Sequence, residues 1–521
     1  MITQNISTVS PTHSRSKNQG LIIPLGWANY VLIFAFTLVM AQAVFYEVVT
    51  DWIVKREFII FALLPFNLYP SDLFLLPLLA LTTIFAVAHF NRRRGSLATN
   101  IIPIGIVALL QLVLVLAIRE IAPIQPFGPL PLLDLLLISS LSGIGMVGIA
   151  AHNSGLNTNG RQNLLLGWWL ICLIGIIVGF INQNPDLMGD IRTLVLRSFV
   201  AVALFYLVLL IDLSFIFKLI LRLGIGFGIY MTLASILRFA NFTFLPYSPL
   251  YGGIALLLPY IFVLIQMLIN PLAGRRETVM LGVLALGIML TLAKPLIAAF
   301  IACNLFGLLL SGRTSLWRQI RWMRIIVFLV SAVILVLILL LFTGGFESAA
   351  DYVLRAYFKQ GAAVQDLSGN RFLIWRLGLE KWLESPIFGH GFGYLLSGAT
   401  INLGNGAEDF RETVGTHNFI VEMLYKVGMV GVLPLLLLMV SWIKLSLRAL
   451  RAHTNPQLII YQLTMMVLVL TIIVMSWYGS HVAHPIGGFL LWAGLGFEAA
   501  LSTFTDLRKQ SSSVTFMKLE Q

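Results

Sequence analysis

Runs of apolar residues long enough to cross a bilayer recur almost from end to end of this chain, and one stretch breaks the recurrence. A helix needs about 17 to 25 predominantly apolar residues to span roughly 30 Å of hydrocarbon. Fourteen such runs lie near residues 28–46, 72–90, 100–118, 131–151, 164–181, 193–213, 218–237, 250–270, 277–292, 295–311, 325–342, 428–447, 458–477 and 486–502. Between Phe342 and about Thr416 no apolar segment of that length occurs. The expected fold is an all-α polytopic membrane protein: about 14 transmembrane helices and one large outward-facing loop containing short amphipathic helices.

Composition agrees. Of 521 residues, 59% are hydrophobic and 11% charged, too little polar surface to cover a water-soluble globule. A net charge of +12 would suggest nucleic acid in a soluble protein. Here most Lys and Arg fall in short connections between apolar runs, which is an orientation signal, and no nucleic-acid partner is expected. With the N-terminus inside, the inner connections hold Arg92, Arg93 and Arg94, Arg275 and Arg276, Arg318, Arg321 and Arg324, and Lys444, Arg448 and Arg451. Short outer connections are much poorer in basic residues, so the long loop faces outward. The first twenty residues are polar, and the apolar run after them lacks a small-residue cleavage site. The expected organisation is a disordered inner tail over 1–26, a helix bundle over 27–342, the outer loop over 343–416, a second helical part over 417–503 and an inner tail over 504–521. Cys172 and Cys303 lie inside apolar runs and indicate neither a disulfide framework nor a metal cluster.

The stretch Glu277 to Gly312 is too long for one span, about 54 Å as a single helix. It divides into two short spans around Lys294-Pro295, and the proline disfavours helix at Lys294 itself. A cation in apolar sequence either snorkels to the headgroups or has a function.

Within the loop, Arg371 to Glu384 has the spacing of an amphipathic helix. Arg371, Trp375, Leu379 and Trp382 share one side, Arg376 and Glu380 are placed to pair on another, and Pro386 ends it. Such a helix either lies on the membrane surface with its tryptophans among the headgroups, or aims Arg371 at an anion that a guanidinium grips in bidentate fashion. Gly389-His390-Gly391-Phe392-Gly393 lacks both the preceding strand and the lysine of a phosphate loop. It suits a tight turn that lets the chain re-enter a crowded site. Thr416 is placed to cap a helix from His417 to Val427 that stops at Gly428, with the imidazole on the first turn. There the helix dipole disfavours imidazolium, and a neutral imidazole suits proton abstraction from a hydroxyl. The alternative is a histidine that only hydrogen-bonds locally. His481 and His484, with no carboxylate or cysteine nearby, make an incomplete ligand set, and no metal site is expected.

In this order the features resemble the O-antigen ligase and O-antigen polymerase family. The residues that carry the resemblance are Arg371 and Trp375, then Pro386, Gly389, Gly391 and Gly393, then His417 and Asn418 with Gly428 and Gly431 before a Leu-rich span. It is specific over residues 368–440. The resemblance implies a membrane glycosyltransferase of the bacterial inner membrane, with its active site on the periplasmic face and an undecaprenyl-diphosphate-linked glycan as donor. It implies no cofactor, neither metal nor nucleotide sugar. It also implies that His417 activates the acceptor hydroxyl and that Arg371 holds the diphosphate. Lys294 falls where family members carry an arginine after a serine; Ala293-Lys294 keeps the charge and loses the planar fork. Arg238, near the outer end of the seventh span, and Arg411, six residues before His417, are further candidates for diphosphate or glycan contacts. Direct attack at the anomeric carbon would invert it. The acceptor is another glycan, lipid A-core or a protein hydroxyl, and the polymerase reading is preferred. Membrane lipids, a polysaccharide chain-length regulator and a flippase are the other expected partners. The rivals are a lipid-linked oligosaccharide flippase or other transporter, which would carry charges within its spans, here nearly free of them, and a non-catalytic scaffold, in which His417 is dispensable.

Overall fold

The computed structural model describes residues 161–208, 213–239, 249–270, 273–291, 293–314, 371–402, 408–414, 416, 418–453, 455–477, 479, 482 and 487–502. The runs near 28–46, 72–90, 100–118, 131–151 and 325–342, and both tails, lie outside the described residues. In chain order the elements are α1 (Arg161–Ile181), α2 (Leu187–Asp190), α3 (Phe199–Val208), α4 (Leu213–Phe239), α5 (Pro249–Ile269), α6 (Arg275–Met289), α7 (Lys294–Ser311), α8 (Arg371–Glu384), β1 (Leu396–Asn402), β2 (Glu408–Val414), α9 (Phe419–Ala452), α10 (Pro456–Met475) and α11 (Gly487–Ser502). Among the described residues, five helices (α1, α4, α5, α9 and α10) are long and apolar enough to cross a membrane, and α7 and α11 are shorter apolar helices.

The helix α5 is enclosed by other helices rather than left to face lipid: it touches α4, α6, α7 and α10. The buried hydroxyl of Tyr260 is paired with Asn304 of α7 at 3.0–3.1 Å, which satisfies both groups inside the bundle. Phe217, in the first turns of α4, stacks at 4.2 Å on Tyr461, in the second turn of α10. Those two helices therefore start on the same side. Short links reverse the chain at each step, so the end of α4, the start of α7 and the start of α9 share the opposite side.

The expected split of residues 277–312 is present, with α6 ending at Met289 and α7 beginning at Lys294. Lys294 is nevertheless helical. Pro295 sits in the first turn, where its missing N–H costs nothing, and the extended residue is Ala293 (φ −77°, ψ 120°). The expected span 193–213 does not run as one helix, because it opens with a π turn, Ile191–Val195, and a 3₁₀ turn, Leu196–Ser198. Two tryptophans of α1 bind this irregular stretch: Trp168 Nε1 donates to the Leu194 carbonyl at 3.2 Å and Trp169 Nε1 to Ser198 Oγ at 2.8 Å. The expected short helix Arg371–Glu384 is present as α8, and two strands that were not expected follow it. β1 and β2 form an antiparallel hairpin, with Leu396 opposite Val414 and Asn402 opposite Glu408.

The expected stop at Gly428 is a kink. Gly428 has φ 60° and ψ −165°, a region essentially restricted to glycine, and helix resumes beyond it to Ala452. In an unbroken helix the Tyr425 and Lys426 carbonyls would accept from Met429 and Val430. Instead they accept from the N–H groups of His390 (2.7 Å) and Gly391 (2.8 Å). Met429 and Val430 in turn donate to the Pro386 and Ile387 carbonyls, at 2.9 and 3.0 Å. A Cβ at Gly428 would collide with the Ile387 carbonyl group and the Gly389 nitrogen. Gly428→Ala is expected to cost more than about 2 kcal/mol and to lower the unfolding temperature of the purified protein. Gly226→Ala, in α4 with nothing within 4 Å of the new methyl, should leave it unchanged or raise it.

Candidate functional site

α8 and the start of α9 meet where the sequence motifs converge. Ile374 and Gly378 face α9, and a Cβ at Gly378 would lie 2.7 Å from Val421 and 3.2 Å from Thr416, so only glycine lets the helices approach this closely. Trp375 reaches across and donates its indole N–H to the Thr416 carbonyl at 3.0 Å. The amphipathic pattern is thereby resolved: α8 packs one face on α9 and leaves Leu379 and Leu383 exposed on another. The expected Arg376–Glu380 pair is present at 2.7 Å on the solvated side.

The helix cap differs from expectation. Asn418, not Thr416, caps α9, its side-chain oxygen accepting from Ile420 N (3.0 Å) and Val421 N (3.2 Å). An asparagine followed directly by the apolar Phe419 and Ile420 is at least as good a cap signal as the threonine two residues earlier. Thr416 serves instead as a brace, its hydroxyl donating to the Asn418 carbonyl at 3.2 Å. Phe419 N–H donates to the Ser476 carbonyl at the end of α10. Thr416, Asn418 and Phe419 are thus fixed by α8, by the cap and by α10. Position 417 precedes the cap rather than occupying the first turn. His417 itself lies outside the described residues, as do His481 and His484.

The other sequence candidates are placed by their backbones, and their side chains lie outside the described residues. Arg371 is the first residue of α8, one turn before Trp375. Arg411 lies in β2 opposite Ala399. Lys294 opens α7 and Arg238 is in the last turn of α4, both on the side of the bundle where α9 begins.

The glycine turn is threaded between α1 and α9. Phe392 N–H donates to the Gly175 carbonyl at 2.8 Å, and its ring is fully buried. Asn184 donates to the carbonyls of His390 and Phe392 at 2.8 and 2.9 Å. Gly391, at φ 90°, lies directly on the backbone of Val178 and Gly179, where a side chain has no room. His390 stacks on Tyr394 with centroids 4.5 Å apart, and its Nε2–H donates to the Lys381 carbonyl at 2.8 Å. Lys381 also donates to Glu384 at 2.8 Å, which holds the ammonium above its ordinary value and the exposed carboxylate below its own.

Sequence reasoning missed a buried ionic cluster. Lys426 Nζ lies 2.8 Å from Asp190 Oδ1 and 2.8 Å from Glu422 Oε1, with all three side chains under 15% exposed. The second oxygen of Asp190 accepts from Gly393 N–H. The signal available was Glu422 and Lys426 four apart in the otherwise apolar opening turns of α9; Asp190 is 236 residues from Lys426 and is brought in by the fold. Another buried carboxylate outside this cluster, Glu498 of α11, accepts from Trp442 Nε1 at 3.2 Å and from the Gln462 amide. The helices are therefore less free of charge than expected. Removing one partner of a buried pair leaves an uncompensated charge and costs about 3–5 kcal/mol. Lys426→Met should lower stability by that order in thermal unfolding, and Lys426→Met/Asp190→Asn should lose less than the two single changes added together.

Residues 279–436 match the family model described as O-antigen ligase. No curated protein matches the chain. The matched segment runs from α6 to the middle of α9 and takes in Lys294, Arg371, Arg411, His417 and the kink at Gly428; Arg238 and Asp190 fall outside it. Apolar helices of spanning length accompany it, as a multi-pass membrane protein requires. Over residues 279–436 this chain is therefore similar to the O-antigen ligase family, a similarity that fits membrane glycan chemistry.

Proposed function

We propose that the chain is an inverting, metal-independent glycan polymerase of the bacterial inner membrane, working on its periplasmic face. The donor is a glycan on undecaprenyl diphosphate and the acceptor is a hydroxyl of another glycan chain. The diphosphate is already a good leaving group, so the protein's task is to neutralise charge growing on it and to deprotonate the acceptor. His417 takes the proton from the acceptor hydroxyl as that oxygen bonds to the anomeric carbon. The bond from that carbon to the diphosphate breaks on the opposite face, and Arg371 and Lys294 receive the negative charge. Arg238 and Arg411 contact the diphosphate or the glycan. A chain-length regulator and a flippase are the partners such a reaction calls for.

The observation that carries this reading is the Trp375–Thr416 hydrogen bond at 3.0 Å. It ties the helix that starts at Arg371 to the residue next to His417, so a diphosphate-binding cation and a base can serve one reaction. Position 417 lies before the cap of α9, so the positive end of the helix is close by and favours a neutral imidazole.

The two residues act on different steps, and their variants separate accordingly. With purified protein in nanodiscs and a lipid-linked glycan donor, His417→Ala is expected to bind donor normally and to lose about 10²- to 10⁴-fold in rate. Arg371→Ala is expected to weaken donor binding by about 1.5–3 kcal/mol. If His417→Ala abolishes donor binding and spares the rate at saturation, the histidine positions ligand and is not a base; if it changes neither, the chain is a scaffold. Mass spectrometry of lipid-linked glycans in a strain lacking the protein checks the acceptor: a polymerase leaves single repeats on the carrier, and a ligase leaves long chains.

A further inference from the structure

Contacts between α1 and α9 give the depth of the glycine turn. A Cβ at Gly175 would meet Val427 and one at Gly431 would meet Ile171, so the two helices run antiparallel and in step, and Gly428 lies level with Ile174. The 19 apolar residues of α1 end at Ile181, with Asn182, Gln183 and Asn184 beyond them. Their length, about 28 Å, matches a hydrocarbon core, so Ile181 marks its boundary and Gly428 lies roughly 10 Å inside it. The Ile387 carbonyl accepts from Val430 at 3.0 Å and would touch a Cβ on Gly428, which puts Ile387 and Phe388 at that same depth. The chain is led down by α8. Trp375 is held at Thr416, Gly378 at Val421 and Pro386, just past the helix, at Met429, so α8 runs beside α9 instead of lying across the surface.

A non-helical segment at membrane depth is stable only where protein pairs its backbone. Every N–H from Gly389 to Gly393 is donated to protein, in turn to Ser385, Tyr425, Lys426, Gly175 and Asp190. On the outside, Leu379, Leu383 and Ile387 follow at four-residue steps and Phe388 adjoins them, with exposures of 38%, 65%, 58% and 52%. Leu173 and Ile177 of α1, level with the turn, are half exposed too, so this ridge continues a stripe on a spanning helix. From Gly378 on, each charged side chain of α8 is paired, Glu380 with Arg376 and Lys381 with Glu384.

We propose that the end of α8 and the glycine turn form a wedge in the leaflet on the side of the site, with Leu379, Leu383, Ile387 and Phe388 among the acyl chains of the bilayer lipids and the two ion pairs at the headgroups. Water is the poorer neighbour, because a contiguous ridge of four large apolar side chains gains free energy by leaving it. Acyl chains offer the ring and the methyl groups dispersion contacts instead. The long stems of Lys381 and Glu384 carry their paired charges from the ridge to the headgroups. The wedge rests on the membrane-spanning helices and is independent of the transfer reaction. Trp375 and Pro386 are about 17 Å apart along α8, so a wedge held at this depth sets the height of Thr416 above the acyl chains.

Depth is read with nitroxide labels on the full-length protein in liposomes. Phe388→Cys and Leu383→Cys each carry one label; Cys172 and Cys303 are buried and stay, and protein without an added cysteine gives the blank. Collision of the label with oxygen, which concentrates among acyl chains, is compared with collision with a water-soluble nickel chelate. Ile177→Cys is the reference for lipid and Arg376→Cys, whose native side chain is 77% exposed, the reference for water. The ratio of oxygen to nickel collision rates is expected to exceed one at positions 383 and 388, as at 177, and to fall below one at 376. A ratio below one at 383 and 388 puts the ridge in water and overturns the proposal. Low collision rates with both reagents there mean that another segment or a second copy covers the ridge, which overturns it equally. Leu383 lies on α8, away from the kink, so Leu383→Cys decides the matter even where Phe388→Cys fails to fold.

Discussion

Four backbone hydrogen bonds exchanged at Gly428 determine how the part of this protein around α8 and α9 is built. A helix that breaks inside a membrane protein exposes carbonyls and N–H groups that water cannot reach, and each must be paired. Here the turn from Pro386 to Gly391 supplies both the donors and the acceptors. The kink and the turn are each other's partners, and neither is stable alone. This explains why the glycines on the two segments belong together: Gly428 takes a backbone conformation only glycine adopts readily, and Gly391 admits the backbone of α1.

Lys426 joins this exchange to the charges. Its carbonyl accepts from Gly391, and its ammonium binds Asp190, which in turn accepts from Gly393. One residue thus fixes both ends of the turn, through its backbone at one end and its charge at the other. Taking three ionised groups out of water is expensive, and the cluster is tolerable because every charge has a hydrogen-bonded partner. Its effect is geometric. It locks α2 and the glycine turn onto α9, and α8 is carried with the turn because Pro386 follows it directly.

Local pattern made much of this legible. Length and hydropathy alone separated α6 from α7 and placed α1, α4, α5 and α10, because a bilayer imposes its thickness on any helix that crosses it. The Arg376–Glu380 pair and the turn at Gly389–Gly393 also followed from spacing. What escaped was decided across the chain or by a close competition. The start of the expected span at 193 is remodelled by tryptophans of α1 that hydropathy cannot connect to it. Thr416 and Asn418 are both good caps, and the choice went to the residue next to the first apolar pair. The hairpin escaped because seven-residue strands leave little trace in a stretch defined only by the absence of a span. Asp190 carried no signal, since its partner lies in a different helix.

The opening turns of α9 show why these parts belong in one place. Phe419 and Ile420 line an apolar cavity shared with α1, α10 and α11, Val421 and Tyr425 face Gly378 of α8, and Glu422 and Lys426 enter the ionic cluster. A helix distributes successive residues around its axis at 3.6 per turn, so three neighbouring surfaces are served by eight consecutive residues. A lipid-linked diphosphate sugar makes the same three demands at one boundary: an apolar chain, a charged bridge and a polar glycan. The three surfaces converge on these opening turns, where α8, the cap and α10 hold Thr416, Asn418 and Phe419 in place. The base proposed at 417 would then be flanked by backbone that is already fixed, and the proposed substrate would reach it without a large movement of the chain on either side.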